Sequence, residues 1–177
     1  TTASAIVSIK PLEITNKKET ATETGISYSS KSGNSDVQNI LMSIKSEFNN
    51  IDNANMIVIN REYGNSNDIK NVDNSFIHFR HIRASLVDAL NYEFFTQLQK
   101  DLFRSIKSRH IVGGGVRYKE DLKDNSAIFF GVGIFNTKLN EDNIKSSFES
   151  LNVYVSYNQT FNNNAKLIYN GYYQPRF

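Results

Sequence analysis

Residues 108–121 read SRHIVGGGVRYKED, with three consecutive glycines in the middle. A phosphate-binding loop needs spaced glycines between a strand and a helix, and in the commonest form a following Gly-Lys-Ser/Thr. Here VRYKED follows, in which residue types alternate and then turn. The stretch therefore predicts a strand and no nucleotide site, and one face of this strand carries His110, Val112, Gly114, Val116 and Tyr118.

Glycines inside a strand usually mark curvature or the close approach of bulky neighbours. Glycines recur on the same predicted face of this strand and of the next strand. They leave space on that face of the sheet, and a large side chain such as Phe95, or the long Arg109 and Arg117, would fill this space. The predicted packing glycines are Gly113, Gly115, Gly131 and Gly133.

The same period of two runs through QNILMSIKSEF (38–48), NYEFFTQLQ (91–99), AIFFGVGIF (127–135) and LNVYVSY (151–157). One face of these runs is apolar and the other is polar, which is typical of strands and does not fit helical spacing. The apolar face is predicted to contact lipid through Tyr92, Phe94, Ile128, Phe130, Val132, Val153 and Val155. The opposite face is predicted to line a lumen with the charges of Lys45, Glu47, Glu93, Arg109, Arg117 and Lys119.

Asn-, Asp- and Ser-rich stretches separate these runs and predict turns. The pattern predicts an all-β fold, an antiparallel meander of about nine strands of ~9–12 residues. Soluble strands average only ~5–6 residues, whereas a tilted strand needs ~9–11 to cross a bilayer. We therefore predict a transmembrane β-barrel over residues 19–177, with residues 1–18 as an N-terminal extension.

The predicted connections differ in length, with the longer ones at 64–73 and 138–147 expected on the outer side of the membrane. Near the end, NGYYQPRF (170–177) contains Pro175, which cannot donate to a ladder. This makes a poor closing strand. We expect about 10–12 strands in the whole barrel, with the remainder in a missing C-terminal part or supplied by another chain.

Composition excludes several classes of site. The chain has no cysteine, so disulfides, zinc–thiolate sites and Cys nucleophiles are ruled out, and its net charge of +2 gives no basic field for nucleic acid. His78 and His81 fall on opposite faces of one strand, so no metal site is predicted. Ser108 and His110 share a face without an orienting acid, so no hydrolase and no cofactor are predicted. No leader is evident, and an export signal is presumed to have been removed.

Several segments resemble the salt-induced outer-membrane protein family, a bacterial family with no assigned activity. They are GISYSSKSGNSD (25–36), HFRHIR (78–83), YEFFTQLQKDLFRSIKSR (92–109), the glycine strand, and YYQP (172–175). The resemblance implies an outer-membrane β-barrel of unknown role, linked to salt or osmotic stress, in a Gram-negative envelope.

Function is accordingly expected to be non-enzymatic. The first hypothesis is an integral outer-membrane barrel with the lipid bilayer as its partner, either structural, with a salt-bridged interior, or porin-like, with a narrow channel. The second is a soluble β-barrel that binds an apolar ligand, with the apolar face turned inward. The third is a barrel subunit of a larger envelope assembly with protein partners.

Overall fold

A computed structural model of the chain describes residues 12–14, 17–32, 36–67, 69–87, 89–122, 125–142, 144–162 and 165–177. All regular structure in these ranges is strand, apart from one 3-10 turn at Leu102–Arg104. The strands are β1 (Glu19–Lys31), β2 (Val37–Asn49), β3 (Asn53–Ser66), β4 (Ile69–Ala84), β5 (Leu90–Asp101), β6 (Ile106–Leu122), β7 (Ser126–Glu141), β8 (Ile144–Asn162) and β9 (Ala165–Tyr173).

The nine strands form one sheet in chain order, and every neighbouring pair is antiparallel. This confirms the predicted all-β meander and its strand number. The described ranges contain no helix with the length and apolar character needed to cross a membrane. Of the predicted extension 1–18, only residues 12–14 and 17–18 are described, and its separation from the rest of the chain stays a prediction.

Each end of the sheet carries alternate connections. We call the end with the β1–β2, β3–β4, β5–β6 and β7–β8 connections the upper end, and the opposite end the lower end. The predicted long connections at 64–73 and 138–147 are wrong, because β3 ends at Ser66 and β4 begins at Ile69, and β7 and β8 are equally close. Asn67 (φ 49°) and Asp142 (φ 48°) begin these short turns. Both residue types tolerate the left-handed conformation that tight hairpins need.

Pairing also extends the strands beyond the predicted length of ~9–12 residues, since β6 has 17 residues, β7 has 16 and β8 has 19. Polar residues that are typical of loops pair here as regular ladder, as Asn140 does with Lys145. The alternation thus located the strands but not their upper ends.

The sheet is strongly curved. Arg80 on β4 and Tyr154 on β8 are four strands apart, which is about 19 Å in a flat sheet. The Arg80 guanidinium nevertheless lies 5.8 Å from the centroid of the Tyr154 ring. One face is therefore concave, and we call it the inner face.

Among the described residues the sheet is open at β1 and β9, which pair only with β2 and β8 respectively. After β9, Pro175 interrupts the ladder with β8 without ending it. The Pro175 carbonyl accepts a hydrogen bond from the Leu151 amide at 3.1 Å, and Arg176 then bridges Ser150. The predicted total of 10–12 strands stays a prediction.

Candidate functional site

The outer face of β5–β8 carries a continuous apolar surface, which we call the apolar band. On β7 it comprises every second residue from 128 to 134, and on β8 every second residue from 151 to 157. Phe130 is 50% exposed and Ile134 63% exposed. From residue 128 to residue 134 the strand rises about 20 Å.

All seven residues predicted to contact lipid lie on this outer face. Five are exposed: Tyr92, Phe94, Phe130, Val132 and Val153. Ile128 and Val155 are half-buried between their neighbours. The register through β5–β8 brings them together, since Tyr92 pairs with Val116, Val116 with Val132, and Val132 with Val153.

Tyrosines mark the lower margin of the apolar band. The Tyr157 hydroxyl donates to Gln159 Oε1 at 2.8 Å, and the Tyr118 hydroxyl donates to Glu120 Oε2. In both cases the polar partner lies two residues nearer the lower end of the strand. A ring on apolar surface with its hydroxyl turned toward a polar edge is the arrangement of tyrosines at a membrane–water interface.

The upper margin of the band is different. Above Ile134, β7 continues for seven residues to Glu141, whereas below Ile128 it extends only two residues to Ser126. The outward residues above the band are polar, and they include Asn136 and Lys138. The β7–β8 hairpin therefore projects past the apolar band at the upper end as paired strand.

The inner face holds a buried ionic cluster. Glu93 on β5 is 7% exposed and forms an ion pair with Arg80 on β4. Its other oxygen accepts a hydrogen bond from the Tyr154 hydroxyl at 2.6 Å. The Tyr172 ring on β9 packs against Tyr154, with the ring centroids 5.7 Å apart. The cluster thus links β4, β5, β8 and β9 across the concave face.

Arg117 lies on the same inner face and is 2% exposed. Its guanidinium stands over the Phe129 ring, 5.0 Å from the centroid. Among the described residues its Nε has no hydrogen-bond acceptor. A cation over an aromatic face is stabilised by the ring quadrupole, so Phe129 supplies the main contact to this charge.

The four predicted packing glycines lie on the inner face of β6 and β7, where they have two roles. A Cβ at Gly131 would overlap the Tyr154 ring, and one at Gly113 would lie 2.6 Å from Phe95 Cζ. These two glycines therefore make room for aromatic rings, and Phe95 lies over Gly113. The second role is close approach of the two backbones. Gly115 and Gly133 pair with each other, and a Cβ at Gly115 would lie 2.6 Å from the Cα of Gly133.

The other predicted lumen charges also lie on the inner face, and Lys45, Glu47 and Lys119 form local ion pairs there. Lys45 Nζ is 2.9 Å from Glu47 Oε1. Lys119 Nζ is 2.9 Å from Asp121 Oδ1 and 3.7 Å from Glu13 Oε2. Arg109 is half-buried near the upper end. We call the buried groups Arg80, Glu93, Tyr154, Arg117 and Phe129 the central layer of the inner face. Of the predicted lumen charges, Glu93 and Arg117 belong to this layer, and the others lie outside it.

Sequence reasoning missed an apolar cluster at the lower end of the inner face. Leu12 is 1% exposed, and Ile14 packs against the same group. The inner residues of β3 are apolar at this point, and the continuous apolar run of residues 56–59 is the signal from which the cluster could have been predicted. The cluster comprises Leu12, Ala54, Met56, Val58 and Ile82.

A polar cavity of about 320 Å³ lies beside the segment 12–14, between it and β6–β8. It is lined by Glu13, Lys119 and Asn158 among others. The Asn158 amide is buried, and neither of its polar side-chain atoms has a partner among the described residues. The segment predicted to lie outside the regular pattern thus covers part of the inner face.

The histidines are dispersed. His78 is buried on the inner face, while His81 bonds Asn55 Oδ1 at 2.7 Å on the outer face. His110 lies on the outer face at 3.3 Å from Thr96 Oγ1, and Ser108 is exposed on the same face. Within the described ranges, no three metal-ligating side chains come together.

The chain belongs to a family described as "Protein of unknown function, DUF481", whose model matches residues 24–177. The match covers β2 to β9 entirely and most of β1. No curated protein and no solved structure matches the chain significantly.

Proposed function

We propose that the chain forms the wall of a transmembrane β-barrel in a bacterial outer membrane, with a structural and non-enzymatic role. The observation that carries this proposal is the orientation of the sheet. Phe130 and its neighbours on the apolar band are exposed on the outer face, while Glu93 and Arg117 are buried on the inner face. Hydrocarbon is the solvent in which this orientation is stable.

The soluble alternative requires the opposite orientation. An apolar ligand inside a soluble barrel would need Phe130, Val132 and Val153 on the inner face and Glu93 in water. Soluble monomers rarely expose contiguous apolar patches of more than a few hundred Å², and the band spans at least four strands. The tyrosines at its lower margin support the same assignment.

Within the membrane assignment, the central layer supports a closed interior over a channel. Between β4 and β8 the inner face carries the Arg80–Glu93–Tyr154 cluster and Arg117 on Phe129. Mixed charges packed in this way act as a salt-bridged plug in small barrels. Support of the envelope under salt or osmotic stress is the role that the resemblance implies.

Tryptophan reporters test the orientation directly, because the chain has no native tryptophan. We expect Phe130→Trp to be strongly quenched by brominated phosphatidylcholine in reconstituted vesicles, and Phe129→Trp, its inward neighbour, to be quenched little. The pair Val155→Trp and Tyr154→Trp repeats the comparison on β8. Equal quenching within both pairs, or stronger quenching at the inner positions, would contradict the proposal.

A second arrangement is favoured by the two unpaired edges at β1 and β9. Lipid does not tolerate unpaired backbone groups, so these edges need partner strands in a membrane. A barrel subunit of a larger envelope assembly would obtain them from another protein. Since the chain has no cysteine, Ser27→Cys on β1 gives a single cross-linking site. A cross-linked partner in native membranes supports the assembly, and a cross-link only within the same chain excludes it at this edge.

A further inference from the structure

Basic side chains lie on the outer face of β3, β4, β5 and β7, above the last outward apolar residue of each strand, which are Ile59, Ile77, Leu98 and Ile134. At this level, which includes the upper margin of the apolar band on β5 and β7, neutral residues such as Ser75 and Asn136 accompany four basic residues and one acidic residue. We call these four the basic margin: Arg61, Lys70, Lys100 and Lys138.

The one acidic residue among these positions, Asp73, is paired with two of the basic residues. Asp73 is 4% exposed, and its two oxygens accept from Arg61 Nη1 at 2.5 Å and from Lys70 Nζ at 3.0 Å. The Lys70 ammonium also stands 5.2 Å from the centroid of the Tyr63 ring. The Arg61 and Lys70 side chains remain 43% and 44% exposed. The three charged groups together therefore keep one positive charge, held in place at the surface.

The other two cations are uncompensated. Lys100 and Lys138 are exposed and form no ion pair with a described residue. The register Arg61–Ser75–Lys100 places the first and last of these residues two strands apart, about 10 Å. Further along the margin, β8 adds Lys145 and Glu149, whose charges cancel.

The lower margin has a different chemistry. The tyrosine hydroxyls at this margin donate to Glu120 and Gln159. At the same level, Arg83 is the outward basic residue of β4. The excess of positive charge on the outer face is therefore confined to the upper margin, immediately beyond the apolar residues. Lipid headgroups occupy this level when acyl chains cover the apolar band.

We propose that the basic margin binds the phosphate of anionic lipid headgroups in the leaflet at the upper end of the sheet. This inference rests on the proposed membrane location and adds the headgroup class that the wall selects. A basic side chain near an anionic lipid surface favours association with it, and salt screens part of this attraction.

Selective quenching tests the inference in the full chain carrying Leu98→Trp, because Leu98 is the outward apolar residue beside Lys100. The vesicles are phosphatidylcholine with a small fraction of either brominated phosphatidylglycerol or brominated phosphatidylcholine. We expect the anionic lipid to quench with an apparent association constant about 2- to 5-fold above that of the zwitterionic lipid. The triple variant Arg61→Gln/Lys100→Gln/Lys138→Gln should bring this ratio to about one, and Arg83→Gln should leave it unchanged.

The outcomes separate the two proposals. Quenching by both lipids with a ratio near one in the parent protein overturns the inference and leaves the membrane wall intact. A raised ratio that persists in the triple variant also overturns it. An absence of quenching by either lipid, at Leu98→Trp and at Phe130→Trp alike, overturns the proposed function itself.

Discussion

Phe129 and Phe130 are adjacent on β7, yet the first is fully buried and the second is 50% exposed. On β5, the buried Glu93 stands next to the exposed Phe94. The inner face buries ions and aromatic rings, and the outer face exposes apolar side chains at the surface of the sheet. The comparison teaches that the strand pleat, and not the hydrophobicity of the residue, determines burial in this sheet.

The largest loss of folding stability is expected when the Arg80–Glu93–Tyr154 cluster on the inner face is broken. Glu93→Leu leaves the Arg80 guanidinium buried without its carboxylate, and removal of one partner of a buried ion pair costs about 3–5 kcal/mol. Urea unfolding in reconstituted vesicles measures the loss. The control Glu47→Gln removes the partner of Lys45, whose side chain is partly exposed, and should cost about 0–1 kcal/mol. Equal losses for the two variants would show that the cluster is not a buried network.

The second-largest loss of stability is expected when a charged residue is introduced on the outer face. Phe130→Arg places a cation within the apolar band, which costs about 2–4 kcal/mol near the middle of a bilayer. Asn136→Arg, which lies on the same face of β7 above the band, should cost about 0–1 kcal/mol by the same depth dependence. Folding yield into vesicles and unfolding by urea measure both. If Phe130→Arg is as well tolerated as Asn136→Arg, the band does not face hydrocarbon.

The smallest loss of stability is expected from a substitution of an inner-face glycine, which tests whether Gly131 makes room for the Tyr154 ring. Gly131→Val would overlap the Tyr154 ring and displace it from Glu93, at a cost of about 1–3 kcal/mol for overpacking. Gly25→Val meets only the Ser43 hydroxyl, 2.8 Å from the added Cβ, which rotates away. The difference in the free energy of unfolding between the two variants measures how strongly the Tyr154 ring excludes a side chain at position 131. A Gly131→Val protein of parental stability would show that the Tyr154 ring has other space available.

The sequence was sufficient to predict the faces of β5–β8, because alternation is strict there. It placed Glu93 and Arg117 opposite Phe94 and Val132, as the register does. It did not settle β4, where FIHFRHIR alternates poorly, and the structure turns Arg80 inward and Arg83 outward. The partner of Arg80 was not predictable, since its approach to Tyr154 depends on curvature, which no local pattern encodes.

The ends of the strands were also beyond sequence reasoning. Asn, Asp and Ser at 138–147 are typical of loops, and local propensity therefore indicated a long connection. Cross-strand pairing overrides that propensity, and a two-residue turn at Asp142 suffices. Leu12 was missed for a different reason, because two apolar residues in a segment as short as 12–14 are too few to show a periodicity.

The segment 12–14 has a mechanical consequence for the lower end. Leu12 is seated between β3 and β4, while Glu13 reaches Lys119 on β6. The segment therefore links β3 and β4 to β6 at the lower end, in addition to the strand pairing through β5 and the Arg80–Glu93–Tyr154 cluster. The lower end cannot widen between β4 and β6 unless the Glu13–Lys119 ion pair opens or Leu12 leaves the apolar cluster.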